Sequence, residues 1–471
     1  MSEECAVGVG SYGEETLGSK RHHRCHSLHV VDTELSADSV EWCPLPGHET
    51  LLACGTYQIS KPTEEGTSEA PVQRVGRVLL YQVDEKKGGI VELHRQDTAA
   101  ILDMKWCHKP IAGAPTLCTA DARGEIRLHH LQTAEPQGVH LQPGTALSIG
   151  DNRLALSLDY NSTESHSLCV SDSLGSLSLL HLDDSTSLKL LSQWKGHEFE
   201  AWVSAFNTWN PNIVYSGGDD SRFCGWDTRT DCKTPIFCQR HDAGVCCIQS
   251  NPHWDNVLAT GSYDEQVRLW DPRHVTRPLV SLATGGGVWR LKWHPSTPGL
   301  LLSACMHGGF RVLHCTPPQH GRGGGSSSPL LRVLCSYEHH GSLAYGADWS
   351  LIQPAPTPFT AGASSLVNIT SSSTSSNATP SLGDTSSTAA QSLVNTSSNA
   401  APHRSKSKGN LTIRFESSTG FIDILDDDDD DDDGGGCGIS DGDDAGGGNK
   451  FHLVATCSFY DHALHVWSCE V

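Results

Sequence analysis

Basic residues are scarce in this sequence. Only 33 Lys and Arg stand against 55 Asp and Glu, which gives a net charge of −22 at neutral pH. Eight of the acids form one run at 426–433, and without it the net charge would still be −22 + 8 = −14. Phosphate binding needs a basic surface, so we expect no nucleic-acid partner. A basic protein partner would suit this acidity better.

Long apolar runs and metal-binding cysteine pairs are also missing. No stretch reaches the roughly 20 apolar residues of a membrane helix, and the first residues do not follow the charged-then-apolar pattern of a signal peptide. The 18 cysteines include no CxxC spacing, and many lie in strand-like segments such as Leu117-Cys118. Buried thiols explain them better than disulfides. We therefore expect a cytoplasmic protein that binds no membrane, with no metal site and no cofactor.

The short sequence motifs of common enzymes are absent as well. The sequence has no GxSxG elbow, no phosphate-binding P-loop, no HExxH and no GxGxxG that opens a helix. On motifs alone, this favours a binding protein.

What the sequence does contain is a repeat. Three landmarks recur at one constant offset of 44 positions: His197 and His241, Asp220 and Asp264, Trp226 and Trp270. The unit begins near a Gly-His or Arg-His pair and ends in Trp-Asp, which is typical of the WD repeat, one four-stranded blade of a β-propeller. We interpret the six residues as structural, because Asp can accept hydrogen bonds from His and backbone N–H groups while Trp supplies apolar surface.

Weaker copies of the unit fill the rest of 27–350 and resume at 450–471, which makes seven repeats. The last copy lacks an outer strand, and the lone strand predicted at 27–34 can supply it and close the ring. Residues 351–449 are rich in Ser, Thr, Asp and Gly and predict a disordered insertion in the last blade. Residues 1–26 predict a disordered tail. The fold class is therefore all-β, a seven-bladed WD-repeat propeller closed by an N-terminal strand.

The sixth repeat departs from the others in a way that suggests chemistry. Aligning it with the fifth places His307 where the structural Asp264 stands, while the preceding loop lacks His and Leu313 replaces the Trp. A histidine without this structural duty is a candidate general base. It can equally be a surface histidine that faces water.

The strands that line the channel carry aromatic and acidic residues near one mouth. We predict that these residues bind substrate, since aromatic rings beside carboxylates suit a quaternary ammonium group. The set comprises Asp38, Asp103, Trp202, Tyr263, Trp289, Arg290 and Tyr345. For any single aromatic, ordinary packing between blades is the competing interpretation.

Several segments resemble one family in particular, the WD-repeat diphthine methyl ester hydrolases of diphthamide biosynthesis. The most specific are Gly-His-Glu-Phe-Glu-Ala-Trp at 196–202, Cys-Met-His-Gly at 305–308 and Ser-Leu-Ala-Tyr-Gly-Ala-Asp-Trp at 342–349. The resemblance covers all seven repeats but not the acidic insertion. It implies an esterase that removes a methyl ester from the over-methylated diphthine on translation elongation factor 2. That substrate carries a trimethylammonium group and is built on a histidine.

Within this resemblance, the residues suggest a mechanism in which water attacks the ester carbonyl. His307 or His462 would assist the water, Asp219 or Asp461 would orient that base, and Arg290 or a backbone N–H would stabilise the oxyanion. A serine nucleophile is the alternative chemistry.

A non-enzymatic adaptor is the alternative function. Residues 226–229 and 270–273 both match the WDxR pattern of substrate receptors of cullin ubiquitin ligases. The match is short, and the repeat already supplies its Trp and Asp.

Overall fold

The computed structural model describes residues 24–60, 73–84, 89–136, 138–162, 166–183, 186–317, 319–320, 326–327, 329–352 and 450–471. These segments contain β-strands and no helix, and so no helix that could cross a membrane. The predicted insertion at 351–449 lies outside them except for its first two residues, and residues 1–23 of the predicted tail also lie outside.

The described strands form seven sheets of four or five strands, one for each predicted repeat, and one additional two-stranded ribbon, which confirms the seven-bladed propeller. The first strand, β1 (Cys25–Asp32), belongs to the last blade. Blade 1 contains β2 (Ala37–Trp42), β3 (Leu51–Thr56), β4 (Gln58–Ser60), β5 (Gln73–Asp84) and β6 (Gly89–Ala99). Blade 2 contains β7 (Ile101–Trp106), β8 (Thr116–Asp121), β9 (Glu125–Ala134) and β10 (Gly138–Ser148). Blade 3 contains β11 (Ala155–Tyr160), β12 (Ser167–Asp172), β13 (Ser176–Leu182) and β14 (Leu188–Lys195).

The remaining blades follow in chain order. Blade 4 contains β15 (Val203–Phe206), β16 (Ile213–Gly217), β17 (Arg222–Asp227) and β18 (Phe237–Arg240). Blade 5 contains β19 (Val245–Ser250), β20 (Leu258–Ser262), β21 (Gln266–Trp270) and β22 (Val280–Ala283). Blade 6 contains β23 (Arg290–Trp293), β24 (Leu300–Ala304), β25 (Phe310–Cys315) and β28 (Leu331–Tyr337), with a two-stranded ribbon of β26 (Gln319–His320) and β27 (Ser326–Ser327) before β28. Blade 7 contains β29 (Ala344–Trp349), β30 (Phe451–Ser458), β31 (Ala463–Glu470) and β1.

The second strand of most blades is a run of apolar and small residues that is buried along its whole length, as in β3, β20 and β24. Such runs form because both faces of the strand pack against neighbouring blades. Between blades 2 and 3, for example, Cys118 and Ile126 meet Leu158 and Val170 in one apolar cluster. The core is therefore spread as layers between blades around the ring.

The N-terminal strand closes the ring as predicted. Strand β1 pairs antiparallel with β31, from Cys25 opposite Cys469 to Asp32 opposite Ala463. The strand begins at Cys25 and not at Ser27, because Cys25 and His26 also find partners on β31. The boundary of the predicted tail at residue 26 is corrected by these two residues.

Two kinds of loop share one face of the propeller. In blade 4, His197 precedes the inner strand and bonds to Asp220, which lies in the turn between the second and third strands. We call the face that carries these loops and turns the upper face. Every inner strand enters the channel from it.

Candidate functional site

The predicted structural residues of blades 4 and 5 form the same hydrogen-bonded set. In blade 4, His197 Nδ1 lies 2.9 Å from Asp220 Oδ1, and His197 Nε2 lies 2.7 Å from Ser216 Oγ. Trp226 Nε1 donates to the same Ser216 Oγ at 2.8 Å. The set in blade 5 repeats these contacts at 2.8–2.9 Å, with Thr260 in place of the serine: His241, Asp264, Thr260 and Trp270. The interpretation of these side chains as structural is confirmed.

Blade 7 contains a third set that sequence reasoning missed. His340 Nε2 lies 2.9 Å from Thr456 Oγ1, to which Trp467 Nε1 donates at 3.1 Å. His340 Nδ1 contacts Ser458 Oγ at 2.6 Å, and Ser458 in turn donates to Asp461. The usual spacing of 29 from His to Trp (226 − 197) becomes 467 − 340 = 127 here, because the insertion falls between them. A search at constant spacing could not find this set.

Four of the predicted substrate-binding residues meet at the upper mouth of the channel. The ring of Trp289 lies 4.8 Å from that of Tyr345, 5.7 Å from that of Trp202 and 6.1 Å from that of Tyr263. Trp202 also meets Tyr263 edge-on at 6.4 Å. We call Trp202, Tyr263, Trp289 and Tyr345 the aromatic wall. Its rings come from loops, turns and strands of blades 4 to 7, so it forms only when these four blades pack side by side.

The aromatic wall continues onto residues that were not predicted. Phe459 lies 4.9 Å from Tyr345, 5.0 Å from Tyr460 and 6.0 Å from Tyr57, ring centre to ring centre. Tyr460 is about half exposed. One signal could have found Phe459, since it follows Thr456 by three positions as Tyr263 follows Thr260.

Two carboxylates accompany the aromatic wall in different environments. Asp219 is partly exposed and accepts a hydrogen bond from Trp202 Nε1 at 3.2 Å, which orients that indole. Asp38 is only 5% exposed. Burial raises the pKa of the Asp38 carboxyl to about 8, an effect that Arg290 opposes and Asp103 reinforces.

Arg290 and Asp103 lie deeper in the channel and form an ion pair. The Nη1 of Arg290 is 3.3 Å from Asp103 Oδ1. Asp103 also accepts from Lys105 Nζ at 2.9 Å and from the backbone N–H of Leu158 at 3.0 Å. Burial by itself would raise the pKa of Asp103, but Lys105 and Arg290 hold it below its usual value. Asp103 is thus a fixed negative charge that orients the Arg290 guanidinium.

Below this pair the channel contains a second group of charges and a cavity of about 360 Å³. Lys292 Nζ contacts both carboxylate oxygens of Glu41 at 2.7 and 2.8 Å and lies 3.4 Å from Asp348 Oδ1. The cavity lining includes Arg290 and Asp103 but none of the aromatic wall, and it extends to residues that follow the inner strands. It therefore opens at the face opposite the upper mouth. We place the candidate site at the upper mouth, where the aromatic rings converge.

His307 occupies the position that the alignment gave it. Ser303 pairs with Arg311 in the register in which Thr260 pairs with Arg268, so His307 stands where Asp264 stands in blade 5. The side chain is exposed and forms no hydrogen bond with the described residues. As predicted, His307 takes no part in a structural hydrogen-bonded set, but it also has no carboxylate partner among the described residues.

The other catalytic candidates lie in the turn of blade 7. Asp461 accepts from the backbone N–H of Gly341 at 2.8 Å and from Ser458, so its two oxygens hold that turn together. His462 has a positive φ of 54°, and its carbonyl oxygen accepts from the N–H and hydroxyl of Thr33 at 2.8 and 2.9 Å. No hydrogen bond within the described residues joins either histidine to Asp219 or Asp461. Their catalytic roles stay predictions.

The comparisons with known proteins agree with this architecture. The family model described as WD domain, G-beta repeat matches residues 233–271, which span the end of blade 4 and most of blade 5. Diphthine methyltransferase of Mus musculus is 39% identical over 464 residues, which is 94% of this chain and 94% of the mouse protein. Diphthine methyltransferase of Homo sapiens is 40% identical over 470 residues, which is 95% of this chain and 99% of the human protein. The E3 ubiquitin-protein ligase COP1 of Arabidopsis thaliana is 30% identical over 122 residues, 26% of this chain and 17% of COP1.

The fold and the upper mouth define a WD-repeat propeller with an aromatic, acidic site on its upper face. The chain belongs to the diphthine methyltransferase family, because two relatives match it at about 40% identity over nearly their whole length. The name of the relatives refers to diphthine, as does the predicted resemblance. The two differ in the reaction, since the relatives are named for methyl transfer and the resemblance implied ester hydrolysis.

Proposed function

We propose that this protein hydrolyses the methyl ester of methylated diphthine on translation elongation factor 2, a step in diphthamide biosynthesis. Relatives named for diphthine support the substrate. The observation that carries the proposal is the aromatic wall with Asp219 on its edge, since a trimethylammonium group is attracted to the faces of Trp and Tyr rings. Each such contact contributes about 0.5–2 kcal/mol, so four rings suffice to select a trimethylated side chain.

The reaction is the addition of water to an ester. The water oxygen forms a bond to the carbonyl carbon, the bond from that carbon to the methoxy oxygen breaks, and methanol and a carboxylic acid result. The positive charge of Arg290, oriented by Asp103, supports the negative oxygen that develops on the carbonyl. The reaction as written requires no cofactor.

The group that activates the water is a separate question. If His307 or His462 is the base, its replacement by alanine should lower turnover by about a hundredfold or more. Neither imidazole has a carboxylate partner among the described residues that would orient it. The alanine variants of both residues therefore belong in the first set of measurements.

The decisive experiment uses elongation factor 2 that carries methylated diphthine, incubated with the protein in ¹⁸O-labelled water. Ester hydrolysis gives a modified peptide with one methyl fewer, one ¹⁸O atom in its new carboxylate and unlabelled methanol. A Trp202→Leu, Trp289→Leu variant is the matched control and should raise KM for this substrate.

The name of the relatives suggests the alternative reaction, which is methyl transfer. A methyltransferase would add a methyl group to diphthine from a sulfonium donor such as S-adenosylmethionine and would release no methanol. Supplying the donor with a deuterated methyl group and following that label in the peptide separates the two reactions in one mass spectrum. Transfer of the label without release of methanol would refute the proposal.

The adaptor function has weaker support. Arg229 and Arg273 of the two WDxR segments are exposed, and each forms an ion pair with the Asp two residues before it. COP1 matches only a quarter of the chain. Co-purification of a ligase adaptor, lost in the double variant Arg229→Glu, Arg273→Glu, would favour this function.

A further inference from the structure

Asp38 presents an unusual hydrogen-bonding gap at the upper mouth. Its Oδ1 is the only carboxylate oxygen in the described part of the chain that is buried without a hydrogen-bond partner. Buried polar atoms in native proteins almost always have a partner, so each exception needs a reason. Asp38 is the second residue of β2, at the point where this inner strand enters the channel, and it is 5% exposed.

The neighbours of Asp38 come from the blades around it. Burial raises the pKa of Tyr345, of Tyr57 and of the thiols of Cys54 and Cys457, and the nearby Asp38 charge adds to each rise. The titratable and charged groups that face Asp38 are therefore Cys54, Tyr57, Asp103, Arg290, Tyr345 and Cys457. Of these groups, Asp103 and Arg290 form the ion pair described above, which fixes the position of the guanidinium.

A trimethylammonium group would not fill the gap on Asp38. Such a group has no N–H to donate, so it leaves a carboxylate oxygen without a hydrogen bond. The guanidinium of Arg290 near Asp38 also disfavours a second cation there. A water molecule has the O–H donor that Asp38 Oδ1 lacks. The guanidinium of Arg290 lies near enough to Asp38 to oppose the rise of its pKa, so its positive charge would also act on an oxyanion formed beside that water.

We propose that Asp38 is the general base of the ester hydrolysis, a catalytic residue that takes a proton from the attacking water. This inference rests on the proposed function and replaces the cation-binding role predicted for Asp38. The aromatic wall and Asp219 then hold the trimethylammonium group, while Asp38 and Arg290 face the ester.

The proton balance closes with these groups. The Asp38 carboxylate accepts one proton as the water oxygen attacks, and the carbonyl π electrons move to the oxygen that faces Arg290. When the tetrahedral intermediate collapses, the bond to the methoxy oxygen breaks and the Asp38 carboxyl returns the proton to form methanol. A base is most effective when its pKa lies near the working pH. Burial gives the Asp38 carboxyl a pKa of about 8, which meets that condition.

The indole N–H of Trp289 supports the same arrangement. Its Nε1 is also buried without a partner among the described residues. The unpaired N–H of Trp289 could donate to the carbonyl oxygen of the ester, and the unpaired oxygen of Asp38 could accept from the attacking water.

The test compares wild type with Asp38→Asn, which keeps the shape of the side chain but cannot take the proton. The expected loss in kcat is about 10²–10⁴-fold, the range for removal of a general base. KM and the affinity for the demethylated product should change little. In wild type kcat/KM should rise with pH up to about 8, because only the ionised carboxyl is a base, and Asp38→Asn should lack this rise. Asp231→Asn is the matched control: it makes the same chemical change at an exposed residue in the loop between the outer strands β17 and β18, and its kcat, KM and pH profile should match those of wild type.

The outcomes separate the inference from the proposed function. Wild-type protein that releases no methanol would contradict the proposed function itself. An active wild type with unchanged kcat in Asp38→Asn, or with a raised KM and unchanged kcat, would overturn the role of Asp38. The wild-type pH profile needs no variant, so it decides even if Asp38→Asn fails to fold. A profile that is flat from about pH 6 to 9 contradicts a base with the pKa that burial gives Asp38.

Discussion

Replacing Ser216 by alanine tests how much the structural hydrogen-bonded set stabilises the propeller. Ser216 Oγ is fully buried and bonds both His197 Nε2 and Trp226 Nε1, at 2.7 and 2.8 Å. The alanine variant leaves the Trp226 N–H and the His197 Nε2 without a partner, in a site where both residues are 2% exposed. Each unsatisfied buried polar group costs about 1–3 kcal/mol, so we expect the two together to lower the free energy of unfolding by about 2–6 kcal/mol.

Blade 6 provides the matched control. Ser303 holds the same position and is equally buried, and among the described residues its hydroxyl has one hydrogen-bond partner, the thiol of Cys305 at 3.0 Å. Ser303→Ala makes the same chemical change without leaving a His nitrogen or a Trp N–H unpaired, so it should cost less than about 1 kcal/mol. Urea unfolding at constant m gives both values from the shift in midpoint. Equal shifts in the two variants would refute the assignment of stability to the shared hydrogen bonds.

Three further predictions concern charge and closure. Asp38 has a pKa of about 8 when folded and about 4 when unfolded, so the folded state binds the extra proton between these values and wild-type stability should fall as pH rises through that range. Asp38→Asn should lack this fall and, in thermal melts above pH 8, exceed wild type by at least about 1 kcal/mol. Lys292→Met removes a partner of the buried Glu41 and should cost about 3–5 kcal/mol in urea unfolding, and Glu41→Gln in the same chain should recover part of it. Deleting the chain through Asp32 removes β1 and exposes the edge of β31, so it should lower the melting temperature and produce aggregates in light scattering, whereas deletion of residues 1–23 should do neither.

Much of the fold could be predicted because a WD repeat is a local signal. The constant offset of 44 marks blades 4 and 5, and the missing outer strand of the last copy implied that β1 closes the ring. The insertion hid the third structural set, since it separates His340 from Trp467 in sequence while leaving them in one blade.

The site was less predictable than the fold. The aromatic residues were found because each stands near the start of an inner strand or in an upper turn, positions that an alignment of repeats supplies. Which groups pair there depends on distances between blades that are remote in sequence. Asp461 was predicted to orient a catalytic histidine, and in the structure its oxygens accept hydrogen bonds from Gly341 and Ser458 in the turn of blade 7. The unpaired oxygen of Asp38 could be seen only in three dimensions.

The closure of the ring also sets the order in which the molecule can be made. The pair Cys25 and Cys469 joins residues 469 − 25 = 444 positions apart, so β1 is synthesised long before β31 and must wait for that strand to leave the ribosome. Thr33, just after β1, bonds the carbonyl of His462, and the neighbouring turn carries Phe459 and Tyr460 of the upper mouth. A premature stop that removes only the last twenty residues therefore leaves β1 without its partner and the upper mouth incomplete. Truncations near the C-terminus should be as damaging to activity as truncations near the middle of the chain.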